Sequence, residues 1–353
     1  MNPALRADGR VQVIAHRGAS ALRPEHTLAA YLRAIEDGAD FIEPDLVMTR
    51  DGILVARHGN ELGGSTDVAT HVGFRDRRCN KRIDGEAIEG WFCEDFTLDE
   101  LRRLRAREPL PELRGRAHDG LHPIPSFDEI VDLLDAESRR RDRRIGIIPE
   151  LKHSSYHRSI GLNLEQALLA ASHRHPILQA APFGIQSFEI SNLEELRLSF
   201  ADAFDKVFLV QLLGDAQQVP FDRQLAGDPD CSYARMSTPQ GLDRIARYAD
   251  AIAVHRRQLL PLDPDGGGLG APTALIRDAH AAGLAVQAWT LRPENHFLPP
   301  AFRCGDDPAM RCEEGTIREM RALVDAGVDA LFTDDPALAR RAVGGRANGK
   351  AAS

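Results

Sequence analysis

The chain has 353 residues, of which 43% are hydrophobic and 27% are charged, and its formal net charge at pH 7 is −9. A chain of this size can bury about three quarters of the surface that its unfolded form exposes, enough for one large core or two smaller ones. The acidic balance argues against a protein dedicated to nucleic acid, whose binding face would be basic. No apolar run approaches the roughly 18 residues that a membrane-spanning helix needs, so we predict no stable membrane insertion.

The amino terminus and the cysteines bear on the cellular compartment. Residues 1–10 contain no apolar stretch of the signal-peptide kind, so the sequence as written predicts a cytoplasmic protein, with the periplasm as the alternative if a signal was removed. The five cysteines are Cys79, Cys93, Cys231, Cys304 and Cys312. The first two flank a predicted hairpin at residues 84–85, and the last two lie in one loop. The sequence therefore leaves open whether the protein contains two disulfides and a free Cys231 or five free thiols.

Short β-rich runs alternate with helical stretches along the chain. Helices are predicted where apolar residues recur at three- and four-residue spacing, as over residues 28–35, and several run into a glycine such as Gly327. Repeated strand–helix units of this kind predict a parallel sheet. The predicted strands are Val11–Ala15, Phe41–Met48, Leu54–Ala56, Ile145–Glu150, Phe183–Phe188, Val207–Leu212, Ala251–Val254, Leu284–Leu291 and Ala330–Thr333.

The number of strand–helix units favours one α/β fold, the (β/α)₈ TIM barrel. Pairing the third predicted strand with the second as a hairpin leaves eight units. Without the irregular stretches 59–125 and 292–315, the chain has the length typical of such a barrel, about 250 residues. We therefore predict one domain over residues 1–343, with an insertion at 59–125 after the second strand, a smaller one at 292–315, and a disordered tail at 344–353. A doubly wound sheet is disfavoured because no glycine-rich turn follows the first strand.

Polar residues collect where the predicted strands end, which is where TIM-barrel active sites lie. The first strand runs into His16 and Arg17, and the second contains Glu43 and Asp45. Its hairpin return ends at His58. Later strands end at Glu150 with Lys152, at Gln186 and at Trp289.

Three of these residues are acidic and suggest a cation site. Glu43 and Asp45 are two positions apart, so on one strand they point to the same side with Cα atoms about 6.5–7 Å apart. Glu150 on the neighbouring strand adds a third carboxylate, and such a group repels itself unless a proton or a cation lies between its members. An all-oxygen site suits Mg²⁺ or Ca²⁺. The alternative is that these acids only pair with Arg17 and Lys152.

The basic residues suggest the rest of the chemistry. His16 and His58 end neighbouring segments, and two imidazoles near their usual pKa of about 6.5 can divide acid and base work at neutral pH. Arg17 and Lys152 would offer donors to an anion. Charge alone does not distinguish a phosphodiester from a carboxylate. The other histidines, including His26, are expected at the surface or behind the site.

At these residues the sequence resembles the glycerophosphodiester phosphodiesterase family. The segment VIAHRGASALRPEHTLAAYLRAIEDGADFIEPDLVMTRDG contains the family's opening His-Arg-Gly, Pro-Glu-His-Thr and Glu-x-Asp motifs. PELK, QSF, AWTLRPEN and ALFTDDP follow in order, so the resemblance spans about residues 11–343. It implies a TIM barrel with an insertion after the second strand, similar to the longer bacterial periplasmic type. It also implies a metal-dependent hydrolase that cuts glycerophosphodiesters into glycerol 3-phosphate and an alcohol.

The resemblance implies roles for particular residues. His16 and His58 would be the acid/base pair, while Glu43, Asp45 and Glu150 would hold one divalent cation, Mg²⁺ or Ca²⁺. Arg17 and Lys152 would bind the phosphate, Trp289 would line the pocket near the glycerol, and Gln186 is expected among the substrate-binding residues. The family often has Asp after the second histidine, whereas Gly59 follows His58 here. Asn60 or Glu61 is therefore expected to orient His58.

Two other functions remain open at this stage. A phospholipase D-like barrel acting on sphingomyelin or lysophospholipids would need an apolar rim at the mouth. The aromatic residues available for that rim are Phe74, Trp91, Phe92, Phe96, Phe297 and Phe302, which we expect instead in small cores of the insertions. A binding module that retains the pocket is the other alternative. The expected partner is a small-molecule glycerophosphodiester, with no nucleic acid, and the sequence does not predict an oligomeric state.

Overall fold

The computed structural model describes residues 10–201 and 207–344. Apart from Gly344, the tail predicted to be disordered lies outside these residues. None of the helices in the described ranges has both the length and the apolar character required to cross a bilayer.

Thirteen β-strands are found in the described residues, and they match most of the predicted runs. The strands are β1 Gln12–His16, β2 Phe41–Glu43, β3 Asp45–Met48, β4 Leu54–Ala56, β5 Cys79–Ile83, β6 Glu86–Gly90, β7 Gly146–Ile147, β8 Glu150–Leu151, β9 Phe183–Ser187, β10 Val207–Leu213, β11 Ala251–His255, β12 Ala285–Leu291 and β13 Ala330–Thr333.

The strands close into an eight-staved parallel barrel. β1 pairs with both β2 and β13. β2 and β3 together form the second stave and β7 and β8 the third, because β2 pairs with β7 and β3 with β8. β9 to β13 complete the ring in sequence order. β4 pairs antiparallel with β3 as the predicted hairpin return. The predicted TIM barrel is confirmed.

Two predicted strands are interrupted, which the sequence pattern did not indicate. The second stave breaks at Pro44 and the third at residues 148–149, where Pro149 follows Ile148. Proline has no amide hydrogen to donate to a ladder, so neither proline donates in a strand pair. The carbonyl of Pro44 instead accepts a hydrogen bond from the amide of Glu150, at 2.9 Å. The two breaks therefore lie side by side, next to the acidic residues.

Fifteen α-helices accompany the strands. The helix predicted over residues 28–35 is α1, whose first turn is capped by the Thr27 hydroxyl, and the predicted glycine end is found at Gly327 after α14. The helices are α1 Leu28–Glu36, α2 Leu98–Leu101, α3 Pro111–Arg114, α4 Phe127–Arg140, α5 Ser154–Ser159, α6 Leu164–Arg174, α7 Ile177–Ala180, α8 Ser191–Ala201, α9 Phe221–Leu225, α10 Tyr233–Met236, α11 Pro239–Ile245, α12 Arg256–Leu259, α13 Leu275–Ala281, α14 Glu313–Ala326 and α15 Pro336–Val343.

The core has two main layers. The larger one packs the apolar faces of the helices against the outer face of the barrel. The smaller one fills the barrel interior, where the rings of Phe41 and Phe208 meet edge to face with centroids 5.8 Å apart. Gly146 and Gly184 face these two rings and have no side chain to displace them. The interior is therefore packed below the mouth, so space for a ligand is left at the carboxyl end of the strands.

Residues 59–125 form an elaborated segment between β4 and α4. It contains α2, α3, three 3₁₀ helices and the β5–β6 hairpin, whose turn is at Asp84 and Gly85 as predicted. Phe74 and Phe96 are buried in a cluster of this segment, and Phe92 is buried in a second cluster beside Tyr156. These rings therefore do not form an apolar rim at the barrel mouth.

One of the two candidate disulfides is formed. Cys304 and Cys312 are bonded in the loop after β12. Cys79 and Cys93 are free thiols, so the candidate bridge across the hairpin is wrong. The physical reason is that β5 begins at Cys79 opposite Gly90, whereas Cys93 lies three residues beyond the ladder, buried in the cluster around Phe96.

Candidate active site

A cavity of about 700 Å³ opens at the carboxyl end of the barrel. One side is formed by strand ends and the other by the segment that follows β4. Of the predicted residues, the lining includes His16, Arg17, Glu43, His58, Glu150, Lys152, Gln186 and Trp289. The structure therefore brings together residues that are as much as 273 positions apart in sequence, from His16 to Trp289.

The three acidic residues meet beside this cavity, where Glu43 and Glu150 belong to the lining and Asp45 lies buried behind them. Glu43, Asp45 and Glu150 each present a carboxylate oxygen such that the three oxygens lie within 4.8 Å of one another, and all three residues are buried. Asp45 and Glu150 are direct partners in the β3–β8 ladder. Although Pro44 interrupts the predicted single strand, Glu43 and Asp45 still converge. This group of three is called the acidic trio below.

The electrostatics of the acidic trio indicate a place for positive charge. Burial, followed by the charges of Asp45 and Glu150, raises the pKa of Glu43 well above its usual range. Burial also raises the pKa of Glu150 to about 8. Asp45 differs because the charges of Lys152 and Arg17 outweigh its burial and hold its pKa well below the usual range. Without a cation, protons on Glu43 and Glu150 relieve the repulsion among the carboxylates. The hard oxygen donors of the trio would fit Mg²⁺ or Ca²⁺.

Arg17 and Lys152 lie on either side of the acidic trio. The Arg17 guanidinium contacts Glu25 at 2.6 Å and Asp45 at 3.1 Å, and the Arg17 amide donates to Glu43 at 2.9 Å. Lys152 Nζ lies 2.9 Å from Glu150. Both cations are therefore held in place by acids and still border the cavity.

His16 is oriented by a residue whose role the sequence reasoning missed. His16 Nδ1 lies 2.6 Å from Asp334 Oδ1 at the end of β13. Asp334 in turn pairs with Arg114 at 2.6 Å and with Arg292 at 3.1 Å, and these charges hold its pKa well below its usual range against the effect of burial. An ionised Asp334 accepts a hydrogen bond from Nδ1–H of His16, which leaves Nε2 as the basic nitrogen.

The protonation of His16 follows from its surroundings. Burial, followed by the charge of Arg17, lowers the pKa of His16 to about 4. The imidazole is therefore neutral at neutral pH and can accept a proton. The signal for Asp334 was present in the sequence as the acid after the last strand, but its contact with His16 spans 318 residues.

His58 lies on the wall opposite the strand ends and exposes its side chain to the cavity. The charge of Arg17 is the largest cause of a pKa of His58 well below the usual range for histidine. The expectation that Asn60 or Glu61 orients His58 is wrong. Asn60 donates to Glu94 at 3.0 Å inside a buried network, and Glu61 accepts from the amides of Gly63 and Gly64. Among the described residues no hydrogen bond to the His58 ring is found.

His26 supports the acidic trio from behind. It is buried, and its Nε2 lies 3.0 Å from Asp45 while its Nδ1 lies 2.9 Å from the Tyr31 hydroxyl. Its position behind the site agrees with one of the two expected places for it. The sequence signal was its location in the PEHT motif, two residues before α1 begins.

Gln186 and Trp289 complete the predicted set. The Gln186 amide donates to Glu43 at 2.8 Å, which ties it to the acidic trio, while its own oxygen has no partner among the described residues. Trp289 borders the cavity, with its ring edge to face with Phe188 and His255. Its indole nitrogen has no protein partner in the described ranges.

Comparisons with known proteins point to one family. The profile of the Glycerophosphoryl diester phosphodiesterase family matches residues 16–338. The chain is 32% identical over 335 residues to a glycerophosphodiester phosphodiesterase of Arabidopsis thaliana, GDPD6, covering 91% of this chain and 82% of that protein. It is 25% identical over 310 residues to a glycerophosphodiester phosphodiesterase of Haemophilus influenzae, covering 82% of this chain and 80% of the relative.

Solved structures show the same fold. A putative glycerophosphoryl diester phosphodiesterase from Silicibacter pomeroyi superposes with a TM-score of 0.66 at 20% identity, over 96% of this chain and 95% of the other. A phosphodiesterase from Oleispira antarctica, solved in complex with the product sn-glycerol-3-phosphate, superposes with a TM-score of 0.55 at 20% identity, over 96% and 99%. On the match of the family profile to almost the whole barrel, this chain belongs to the glycerophosphoryl diester phosphodiesterase family.

Proposed function

We propose that this enzyme hydrolyses glycerophosphodiesters to glycerol 3-phosphate and an alcohol, using a divalent cation and the two histidines. The observation that carries the proposal is the meeting of a buried acidic trio, two cationic side chains and two histidines at one cavity. Cleavage of a phosphodiester needs stabilisation of the negative charge on its oxygens and two proton transfers. This cavity offers groups for both.

The acidic trio would hold the cation. When bound, the cation withdraws electron density from the phosphoryl oxygens. The three carboxylates carry a charge of −3 when ionised, and Glu25 beside Arg17 adds a fourth negative charge. A divalent cation together with Arg17 and Lys152 would neutralise this group, so the site would hold a single phosphodiester anion through directed donors. Arg17 would offer a planar pair of donors to its oxygens, and Lys152 a compact charge.

The histidines would move the protons. In the first step His16 Nε2 takes the proton of the glycerol hydroxyl next to the ester, and that oxygen forms a bond to phosphorus. The bond from phosphorus to the leaving oxygen breaks, and His58, protonated while the phosphodiester anion is bound beside it, gives its proton to the departing alcohol. Water then opens the resulting cyclic phosphate with the proton transfers reversed, giving glycerol 3-phosphate. Asp334 would hold His16 in the required tautomer throughout.

Substitution of the histidines tests this proposal. His16→Ala and His58→Ala should each lower turnover of glycerophosphocholine by about 10²–10⁴-fold, since each removes one proton transfer. Release of glycerol 3-phosphate is measured by a coupled assay, with and without EDTA and added Mg²⁺ or Ca²⁺. His296→Ala is the matched control, because His296 is exposed and lies outside the cavity lining. Unchanged turnover in either variant, or full activity in EDTA, would contradict the mechanism.

The same assay separates the phospholipase D-like alternative. None of the six aromatic residues considered for an apolar rim lines the cavity, and Phe74, Phe92 and Phe96 are buried in the segment after β4. We therefore expect glycerophosphocholine to be cleaved faster than lysophosphatidylcholine.

A further inference from the structure

Arg57 borders the cavity and has no role in the proposed mechanism. It follows β4 directly and precedes His58, and its amide donates to the Asp45 carbonyl at 2.9 Å. Only 6% of its surface is exposed, yet it belongs to the cavity lining. The backbone therefore fixes this arginine beside the site.

The Arg57 guanidinium has no acidic partner. Within residues 10–201 and 207–344, no carboxylate oxygen lies within 4.0 Å of its nitrogens. Nη2 donates to the Ser65 hydroxyl, whereas the buried Nε has no partner and no hydrogen bond from Nη1 to a described residue is found. At least two of its donor positions are thus unused.

The other cations around the cavity are all paired. Arg17 contacts Glu25, Lys152 contacts Glu150, and both Arg114 and Arg292 contact Asp334. Arg57 is thus the exception among the described arginine and lysine residues of the lining. This contrast matters because burying a charge is costly unless an opposite charge or hydrogen bonds compensate for it.

Glu61 is the acidic residue of the same wall, but its carboxylate is already engaged. It accepts from the amide of Gly63 at 2.6 Å and from the amide of Gly64 at 2.9 Å. No ion pair joins it to Arg57 within the described part of the chain. The carboxylate of Glu61 is thus directed to these amides, and the guanidinium of Arg57, beside Ser65 and Gly64, faces the cavity without an ion pair.

We infer that this wall, called the Arg57 wall below, is a subsite for a phosphate group on the alcohol part of the substrate. The inference rests on the proposed function, in which Arg17, Lys152 and the acidic trio take the scissile phosphate. Those groups come from β1, β2, β3 and the end of the third stave, whereas Arg57 and Ser65 come from the hairpin return and the segment after it. A second phosphate on the leaving alcohol would lie beyond His58 and meet the unused donors of Arg57.

A planar guanidinium suits this ligand. Arginine offers parallel donors that match two phosphate oxygens, and hydrogen bonds between charged groups are stronger than those between neutral ones. Ser65 holds one end of the guanidinium and would leave the other end for the ligand. The enzyme should consequently prefer glycerophosphodiesters whose alcohol carries a phosphate over those whose alcohol is neutral.

A matched pair of substrates tests this inference. Glycerophosphoglycerol and its terminal phosphate monoester share the same scissile bond and differ only in the added phosphate. The value of kcat/KM is measured for both, with the divalent cation in excess so that chelation by the monoester has no effect. The wild-type enzyme should favour the phosphorylated substrate by about ten- to a hundredfold, as expected for a hydrogen bond to a charged group.

Substitution of Arg57 should remove this preference. Arg57→Gln should bring the ratio of the two kcat/KM values close to 1, and Arg57→Lys should keep part of it. Arg116→Gln removes the same charge from the same segment at a position outside the cavity, and its ratio should equal that of the wild type. If Arg57→Gln does not fold, the wild-type ratio and the Arg57→Lys ratio decide the question.

The possible failures can be told apart. If neither substrate is hydrolysed, the proposed function fails. If both are hydrolysed at equal kcat/KM by the wild type, the subsite is refuted while the function stands. If Arg57→Gln lowers both values by the same factor, Arg57 acts on the scissile phosphate or on the fold, which also overturns the inference.

Discussion

Asp334 lies next to His16, one of the two histidines that we propose as the acid/base pair. It lies 2.6 Å from His16 Nδ1 and is buried between Arg114 and Arg292. Because it stays ionised, it favours the tautomer in which His16 Nε2 is the basic nitrogen. In the proposed mechanism Asp334 is therefore a positioning residue.

Asp334→Asn should preserve the shape of the side chain but remove the charge that selects this tautomer. We expect kcat to fall by about 10²–10⁴-fold, the range for loss of acid/base catalysis, while KM changes little because Asp334 is not expected to touch the substrate phosphate. Steady-state kinetics with glycerophosphocholine measure both constants. A matched thermal melt shows whether the loss of the ion pair with Arg114 has unfolded the protein. A kcat within twofold of wild type would refute the positioning role.

At the scale of elements, the short staves of the barrel place the acidic trio. Pro44 follows β2 and Pro149 precedes β8, and the carbonyl of Pro44 accepts a hydrogen bond from the amide of Glu150.

Below this point the packing of the barrel interior depends on glycines that make room for large rings. A Cβ on Gly146 in β7 would lie 2.2 Å from two atoms of the Phe41 ring. Such a distance requires the ring or the strand to move.

Gly146→Ala should therefore lower the free energy of unfolding by about 1–3 kcal/mol, the usual cost of overfilling a packed core. Urea denaturation measures this change. Gly73→Ala is the control, since a Cβ there would meet no atom within 4 Å, and its effect should stay within about 0.5 kcal/mol. Equal stability of the two variants would show that the barrel interior adjusts more freely than the packing indicates.

For the whole molecule, the acidic trio links stability to pH and to the cation. In the metal-free protein, burial raises the pKa of Glu150 from 4.5 to about 8. The folded state thus retains a proton that the unfolded state releases above pH 4.5, so this contribution to stability is lost as the pH rises toward 8. The lowered pKa of His16, about 4, acts in the opposite direction, with stability lost as the pH falls from 6.5 toward 4. Between pH 6.5 and 8, the carboxyl group dominates.

We therefore expect the melting temperature of the metal-free protein to fall between pH 6.5 and pH 8. Saturating Mg²⁺ or Ca²⁺ should raise it more at pH 8, where the carboxylates are ready to bind a cation. Differential scanning calorimetry of EDTA-treated protein measures this. Glu108 and Glu189, whose pKa values burial raises to about 7, add to the fall, so Glu150→Gln should reduce it without abolishing it. An equal shift by the cation at both pH values would contradict the linkage.

The sequence indicated much of the site because its key residues lie within short motifs. His16, Arg17, Glu43 and Asp45 stand next to predicted strands, and the ends of parallel strands must meet at one side of a barrel. Asp334 also follows a predicted strand, but its pairing with His16 and with Arg114 could not be assigned in the same way. These contacts cross 318 and 220 residues, and no local pattern shows which acid will meet which base over such separations.

The barrel, the end of it at which polar residues collect and the types of residue there were predictable from the sequence, since periodicity and the order of elements are local properties. The cellular location stays a prediction. Of the two candidate disulfides, the structure contains the one between Cys304 and Cys312. Three contacts became visible only in the folded chain: Asn60 donates to Glu94, Asp334 contacts His16, and Arg57 donates to Ser65 without an acidic partner among the described residues. Pairing of charges depends on distances across the closed fold, and those distances exist only once the barrel has formed.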